Sequence, residues 1–590
     1  MLPAPRSSVV EASLQRAERL VLRYLDHVRT HEPVESTRIG MTERNGSLPD
    51  LAPAALAARS RDLAVLAAEV GAAARELSVA PGSAAREARG DLSLLSAEVE
   101  FRRFQLDVRP RLLLDPLAVL DTIAAGIHEL LGWDDGTRED RCARLEAAAQ
   151  RARRVPVLLE QAGGLLASAP TPHLQVALQR LPGLLEMVRH VLPGRADQLG
   201  LDVSPARDAG EVAAEGLEAY AALLDELRGD QPGEWRLGPE QHATLLRSAL
   251  GTVMWPAQIE DRARIWIGET RARLVELAGA TWSQRRPGVP RPDDDDALIR
   301  RTLEAIARTA VSRDELLVEA RRAIAEARAF AAGSGLTDVP PAERLRIREV
   351  PAYLRGLAVA FVTQPPPLRP ETGCTYYLSP IPSSWDGAQA AAFLRAYTPA
   401  ALRSLAIHEG YPGHVVQLEH ATRHPRLARR LLARPVFAEG WAVYIEREVV
   451  RAGFAEDGAS TVSAADYQVI QLRNELRIAA TALVDVGLHA GKLTEQEATD
   501  LLIRAAYQEP AEARATVLRA QVTAGQLSSY FVGGEELTDL RTQVEARAGA
   551  GFDVRTFHQR LLSHGTPTVS VVATALADEA PAHRPFAASA

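Results

Sequence analysis

From its start to about residue 340 the chain repeats apolar residues at intervals of three and four. VVEASLQRAERLVLRYLDHV (residues 9 to 28) and LEAYAALLDELRG (217 to 229) are typical, set in a background of Ala, Leu, Glu and Arg. That spacing puts one apolar stripe on a helix and does not suit the two-residue period of a strand, so it predicts long amphipathic helices. Proline and glycine punctuate the run at LPGLLEMVRHVLPG and GDQPGEWRLGPEQ, as turns between helices require. No fixed-period repeat is present, which argues against a solenoid. β-branched and aromatic residues collect between prolines only near 341–385, and a small β element is expected there. The expected fold class is mainly α, with a helical region over 1–284 and a second region over 285–590 packed with it as one unit.

The join between the two, RRPGVPRPDDDDALIRR (285 to 301), carries four consecutive aspartates leading into a helix. Carboxylates at a helix N-terminus complement its dipole, so the run is expected to be a solvated start and not a cation site. Overall, 76 acidic residues against 68 basic ones leave a net charge of −8, without the basic excess that phosphate binding demands. Nucleic acid is therefore not an expected partner. The two cysteines, Cys142 and Cys374, are far apart and form no metal-binding pattern; both are expected as reduced thiols. The N-terminus lacks an apolar stretch after a basic one, and no later stretch approaches the ~18 apolar residues of a membrane helix. Neither export nor membrane association is expected, and the expected location is cytoplasmic. The tail over 577–590 is expected to be disordered.

The most unusual residues lie in AIHEGYPGHVVQ, 406 to 417. In an H-E-x-x-H zinc helix the two histidines are four residues apart, about 40° around the axis, and reach one ion. Here His408 and His414 are six apart, which on a regular helix means roughly 120° around the axis and about 9 Å along it. They can share an ion only if the helix is distorted. Pro412 supplies a reason, because a proline inside a helix removes one hydrogen bond and clashes with the preceding turn, while Gly410 and Gly413 tolerate the altered backbone. A second helix follows in VFAEGWAVYIEREVV, 436 to 450, where Glu439 and Glu446 are seven apart and so share an apolar face. Two acids on such a face need partners, either arginines across a helix interface or a metal ion. Two histidines completed by a glutamate on a neighbouring helix would give a His2Glu zinc site with one open position.

HEGYPGH followed by AEGWAVYIE resembles the bacterial domain-of-unknown-function family eight-eight-five. Further matches occur at ALVDVGLHAGKLTEQEA (482 to 498), GQLSSYFVGGEELTDLR (525 to 541) and GFDVRTFHQRLLSHGTP (551 to 567). The family is distantly similar to zinc peptidases in which H-E-x-x-H is completed by a glutamate on the next helix, which implies a large helical metallopeptidase-like fold. Carried over residue by residue, the resemblance implies His408, His414 and Glu439 as ligands of one Zn2+ per chain and Glu409 as the general base. It puts Glu446 behind the ligands. The chain departs from the usual wording in GQLSSY, where a proline and an alanine are common, and in two glycines after Val532; Tyr530 itself is retained.

A phenol at Tyr530 can donate to the oxyanion of a tetrahedral intermediate. Arg541, on the helical segment beyond it, can hold a substrate carboxylate. His489, His558 and His564 are weaker candidates, each as readily explained by a structural hydrogen bond. The expected function is zinc-dependent hydrolysis of an amide bond in a short peptide. Two alternatives stay open: a metal-dependent hydrolase or lyase acting on a small non-peptide substrate, and a non-catalytic helical binding protein in which the HEGYPGH distortion is only a kink.

Overall fold

A computed structural model describes residues 6–132, 136–228, 233–350, 360–381, 385–456 and 462–578. The fold is mainly α, and its principal helices are numbered here in chain order. The N-terminal part contains α1 (Arg6–His31), α2 (Pro53–Leu77), α3 (Ser83–Arg103), α4 (Leu117–Leu131), α5 (Arg138–Leu165), α6 (Thr171–Glu186) and α7 (Ser204–Leu227). The apolar stripes do what the spacing predicts. Leu20, Val28, Leu63, Leu66, Leu95 and Val99 close one core between α1, α2 and α3, and Ile123, Ile127, Leu158 and Leu217 belong to another built by α4 to α7. The buried Arg151 ties these helices to the short helix Pro33–Ile39 and the segment after it by donating to the carbonyls of Ser47, Gly126 and Pro33 and to Thr37 Oγ1.

The C-terminal part contains α8 (Pro256–Arg285), α9 (Leu316–Gly333), α10 (Pro399–Leu405), α11 (His414–Thr422), α12 (Pro435–Arg451), α13 (Ala464–His489), α14 (Pro510–Val522), α15 (Gln526–Ala548) and α16 (Val554–Leu562). Helix α8 lies before the expected division at 284/285, yet Ile259 and Ala263 pack with Ile478, Ala482 and Phe531, so it belongs to this core. The two parts are tied together: Ala428 and Leu432 complete the α1–α3 core, and Asp91 accepts hydrogen bonds of 2.6 Å from both Arg426 and Arg429.

The β element is a three-stranded sheet of β1 (Leu345–Glu349), β2 (Ala360–Thr363) and β3 (Cys374–Leu378), in the order β1-β3-β2. β3 is central, parallel to β1 and antiparallel to β2, with Val362 opposite Tyr376. Part of the stretch that suggested strands, 351–359, lies outside the described residues, as does most of the tail over 577–590. The aspartate run starts a helix as expected: Asp294 caps it by accepting from Ala297 N at 2.7 Å, while Asp295 pairs with Arg291 and Asp296 with Arg271. Both cysteines are free thiols. Among the described residues no helix is long and apolar enough to cross a membrane.

Candidate metal centre

The six-residue spacing of the histidines is resolved by breaking the helix. α10 ends at Leu405, the backbone widens into a π turn over Ala406–Gly410, the Tyr411–Pro412 peptide is cis, and α11 begins afresh at His414. Glycine is required at 413: a Cβ there would lie 2.0 Å from the His408 carbonyl oxygen and 2.2 Å from that of Ile407. The turn is pinned from α12 by the buried Trp441, whose Nε1 donates to the carbonyls of Pro412 (3.1 Å) and Gly413 (3.2 Å). Arg403 fixes α10 just upstream, bonding Glu326 at 2.7 Å and Glu319 at 2.9 Å. The imidazoles consequently meet, with ring centroids 5.0 Å apart and planes at 89°.

Glu439 on α12 completes the group. Its Oε2 lies 3.6 Å from His408 Nε2 and 3.5 Å from His414 Nε2. Donors bound at 2.0–2.1 Å in a tetrahedron are separated by about 3.3 Å, so Glu439 Oε2 stands from each histidine nearly as one zinc ligand stands from another, and all three donor atoms lie within 4.8 Å of one another. The chemistry of the set agrees, since two neutral imidazoles and a carboxylate are the donors Zn2+ accepts. Oε2 is shielded from solvent and has no partner at hydrogen-bond distance; the two imidazoles face it at 3.6 and 3.5 Å, a gap that a bound cation would close. Burial raises the pKa of Glu439, but the two histidines outweigh it and hold the carboxyl well below the ordinary range.

Behind the ligands, Glu446 Oε1 lies 2.6 Å from His408 Nδ1. Its Oε2 accepts from Ser404 Oγ at 3.4 Å, and that hydroxyl accepts from Asn474 Nδ2 at 3.1 Å. The chain of contacts fixes the ring: with the proton on Nδ1, Nε2 presents its lone pair toward Glu439. Burial alone would lower the pKa of His408, yet Glu439 and Glu446 raise it well above its usual value, so here the ring competes for a proton where an ion would sit. Glu409 is adjacent in sequence but is not part of the ligand set. Its Oε2 accepts from the Val362 N–H of β2 at 3.1 Å, and burial raises its pKa against the pull of His414 and His408.

Tyr530 reaches this group because two helices nearly touch. A Cβ on Gly533 of α15 would lie 1.9 Å from Val436 O, and one on Gly440 of α12 would lie 2.5 Å from the Gly533 carbonyl carbon. The glycines after Val532, which looked like a departure in the sequence, are what lets α15 cross α12. The Tyr530 ring then lies 6.4 Å from the His408 ring. Burial, with Glu439 adding to it, pushes its hydroxyl up to about 12, so it remains a proton-bearing donor. The start of α15 is anchored on α13, where Asp485 accepts from Gly525 N (3.0 Å) and Ser528 Oγ (2.5 Å).

The remaining sequence candidates are engaged elsewhere. Arg541, expected to hold a substrate carboxylate, pairs with Glu448 at 3.3 Å and Glu545 at 2.5 Å. It lies eleven residues beyond Tyr530, about 16 Å along α15. His489 donates from Nε2 to Ala520 O (3.0 Å) and stacks on His242. His558 has both nitrogens engaged, by Tyr444 Oη and Leu336 O at 2.8 Å each. His564 is buried 3.8 Å from Glu87. Conversely, Ser404, Asn474, Arg519 and the Val362 backbone were not legible as site residues, because nothing local separates a Ser, an Asn or one Arg among dozens from a surface residue. The structure also holds a second His-His-acid group that the sequence did not suggest, His27, His31 and Asp62, close enough in space to be considered for a metal.

The family described as bacterial protein of unknown function (DUF885) matches residues 33–576, and the chain belongs to that family. Comparison with curated proteins gave no match. Among solved structures, a candidate lipoprotein of unknown function from Shewanella oneidensis is similar at a TM-score of 0.74 and 21% identity, covering 98% of this chain and 100% of that one. A candidate lipoprotein from Colwellia psychrerythraea is similar at 0.74 and 16%, covering 98% and 99%. At these identities the likeness establishes a shared fold over nearly the whole length.

Proposed function

We propose that the protein is a zinc-dependent, metallopeptidase-like hydrolase that cleaves peptide bonds in short substrates. One observation carries the reading: Glu439 Oε2, shielded and without a hydrogen-bond partner, stands 3.6 and 3.5 Å from the Nε2 atoms of two histidines on an interrupted helix. His408, His414 and Glu439 would hold one Zn2+ per chain, which when bound polarises a carbonyl and makes water acidic enough to attack near neutral pH. The other roles follow from the chain's own residues. Glu446, bonded to Nδ1, keeps His408 in the tautomer that binds through Nε2. Glu409, steered by the Val362 N–H, takes a proton from the attacking water and returns it to the leaving amine; its raised pKa suits a group that must do both. Tyr530 donates its O–H to the oxyanion that develops on the substrate carbonyl.

A scaffold that used the two glutamates only for packing would pair both, and only Glu446 is fully paired. The choice of a peptide over another acyl substrate is supported by the sequence resemblance to H-E-x-x-H-plus-Glu peptidases. The test is to incubate the full chain with a mixture of short peptides and follow new termini by mass spectrometry. Cleavage should appear with zinc, vanish on chelation and return when zinc is restored; zinc-loaded protein that cleaves none of them contradicts the reading.

A further inference from the structure

Two half-buried arginines beside Tyr530 lack acidic partners, and unlike the buried Arg151 they do not fill their donors with backbone carbonyls. Arg403, Arg429 and Arg447 each pair with at least one carboxylate. Arg519, on α14, instead directs its guanidinium to the Tyr530 hydroxyl at 3.4 Å. Arg477, on α13, has Glu512, Arg473, Tyr530 and Glu446 as its electrostatic neighbours. Among the described residues neither guanidinium is ion-paired with a carboxylate. Helix geometry shows why: Arg473 and Arg477 are one turn apart on the same face of α13, and Glu512, the nearby acid on α14, is engaged by Arg473 at 2.9 Å. Taking a guanidinium partly out of water without an anion is unfavourable, and its planar fork of donors matches the two oxygens of a carboxylate.

We infer that Arg477 and Arg519 form a subsite for a substrate carboxylate next to the group that receives the scissile carbonyl. The inference rests on the hydrolase reading and narrows it to substrates bearing a carboxylate near the bond cleaved. Charge supports it. With zinc in place, three carboxylates at 409, 439 and 446 face one divalent cation and two guanidiniums, leaving one positive charge that one substrate carboxylate neutralises. The carboxylate could be the C-terminus of a peptide or an acidic side chain, and the same two guanidiniums would read either.

The test is calorimetric binding to the full-length Glu409→Gln protein, which reports binding whether or not the wild type is a hydrolase. The probes are N-acetyl-trialanine as free acid, the same peptide as C-terminal amide, and N-acetyl-Ala-Ala-Glu amide. At least one acid should bind about ten-fold tighter than the neutral amide, or better, as expected for a charge-assisted pair; which acid does so identifies the source of the carboxylate. Adding Arg477→Gln, or separately Arg519→Gln, should remove most of that preference while a thermal melt shows the fold intact; should one variant fail to fold, the other carries the test. The inference is overturned if the neutral amide binds as well as both acids, if neither acid binds, or if the preference survives the variants that fold. An acid preference in a protein whose zinc-loaded wild type cleaves nothing would keep the subsite and remove the hydrolase reading.

Discussion

Among the described residues two groups of two histidines and a carboxylate are tight enough to be considered for a metal, and they differ in what else their atoms touch. In the α1–α2 group, Asp62 Oδ2 lies 2.6 Å from His27 Nδ1, too close for two ligands of one ion, and Oδ1 accepts from Arg23 at 3.1 Å. His27 Nε2 has no hydrogen-bond partner, but Glu32, 3.6 Å from it, is itself paired with Arg59 and Arg102. Every carboxylate oxygen is occupied and guanidiniums surround the group, so a cation would have to displace hydrogen bonds and face like charge. In the His408 group the acid oxygen between the rings has no hydrogen-bond partner, it stands 3.6 and 3.5 Å from the two Nε2 atoms, and Arg519 contacts Tyr530 and not the acid. Composition nominates a metal site, and the surplus or absence of competing partners decides it.

The strongest way to break the comparison is at Glu409. Glu409→Gln should keep zinc and lower kcat by roughly 10² to 10⁴, because the base is not a ligand; equal loss of metal in Glu409→Gln and Glu439→Gln would mean that their roles are exchanged. Next is Tyr530→Phe, which removes an interaction made mainly in the transition state. kcat should fall by roughly 10² to 10³ with KM and zinc content near wild type. Since burial raises the phenol to about 12, the wild type should show no loss of activity from Tyr530 ionising at pH 9. A lower Tm with unaltered kcat would place this tyrosine in the core.

Glu446→Gln is a subtler probe, because it leaves every ligand in place and loosens only the orientation of His408. Zinc affinity should fall about 10- to 100-fold, measured by competition with a coloured chelator; unchanged affinity would show that the ring is positioned by packing alone. The smallest effect belongs to the other group. Asp62→Asn deprives the buried His27 of its carboxylate, costing on the order of 1 kcal/mol, seen as a lower Tm with zinc content unchanged. Loss of zinc in that variant would collapse the distinction between the two groups.

The features that were legible in the sequence are those set by spacing within one segment. The three-and-four pattern specified the helices, Pro412 between His408 and His414 required a broken helix, and the interval of seven put Glu439 and Glu446 on one face. What lay between segments was not legible. The crossing of α12 and α15 depends on Gly440 meeting Gly533, nearly a hundred residues away. The pairing of Arg541 with Glu448 could not be read because Glu448 approaches from another helix, while Arg477 and Arg519 gain their interest only from the acids that other arginines have taken. The division near 285 has the same origin: α8 belongs to the second part through contacts with α13 that no local pattern reveals.

The central claim is that the His408 group, and not the His27 group, binds metal. It is tested most directly by zinc content. Full-length wild type, Glu439→Gln and His27→Ala would be loaded with zinc, dialysed and analysed by inductively coupled plasma mass spectrometry. The account predicts about one zinc per chain in wild type and in His27→Ala, as a single His2Glu site requires, and almost none in Glu439→Gln. Zinc-free wild type, or a Glu439→Gln protein that keeps its zinc while His27→Ala loses it, would contradict it.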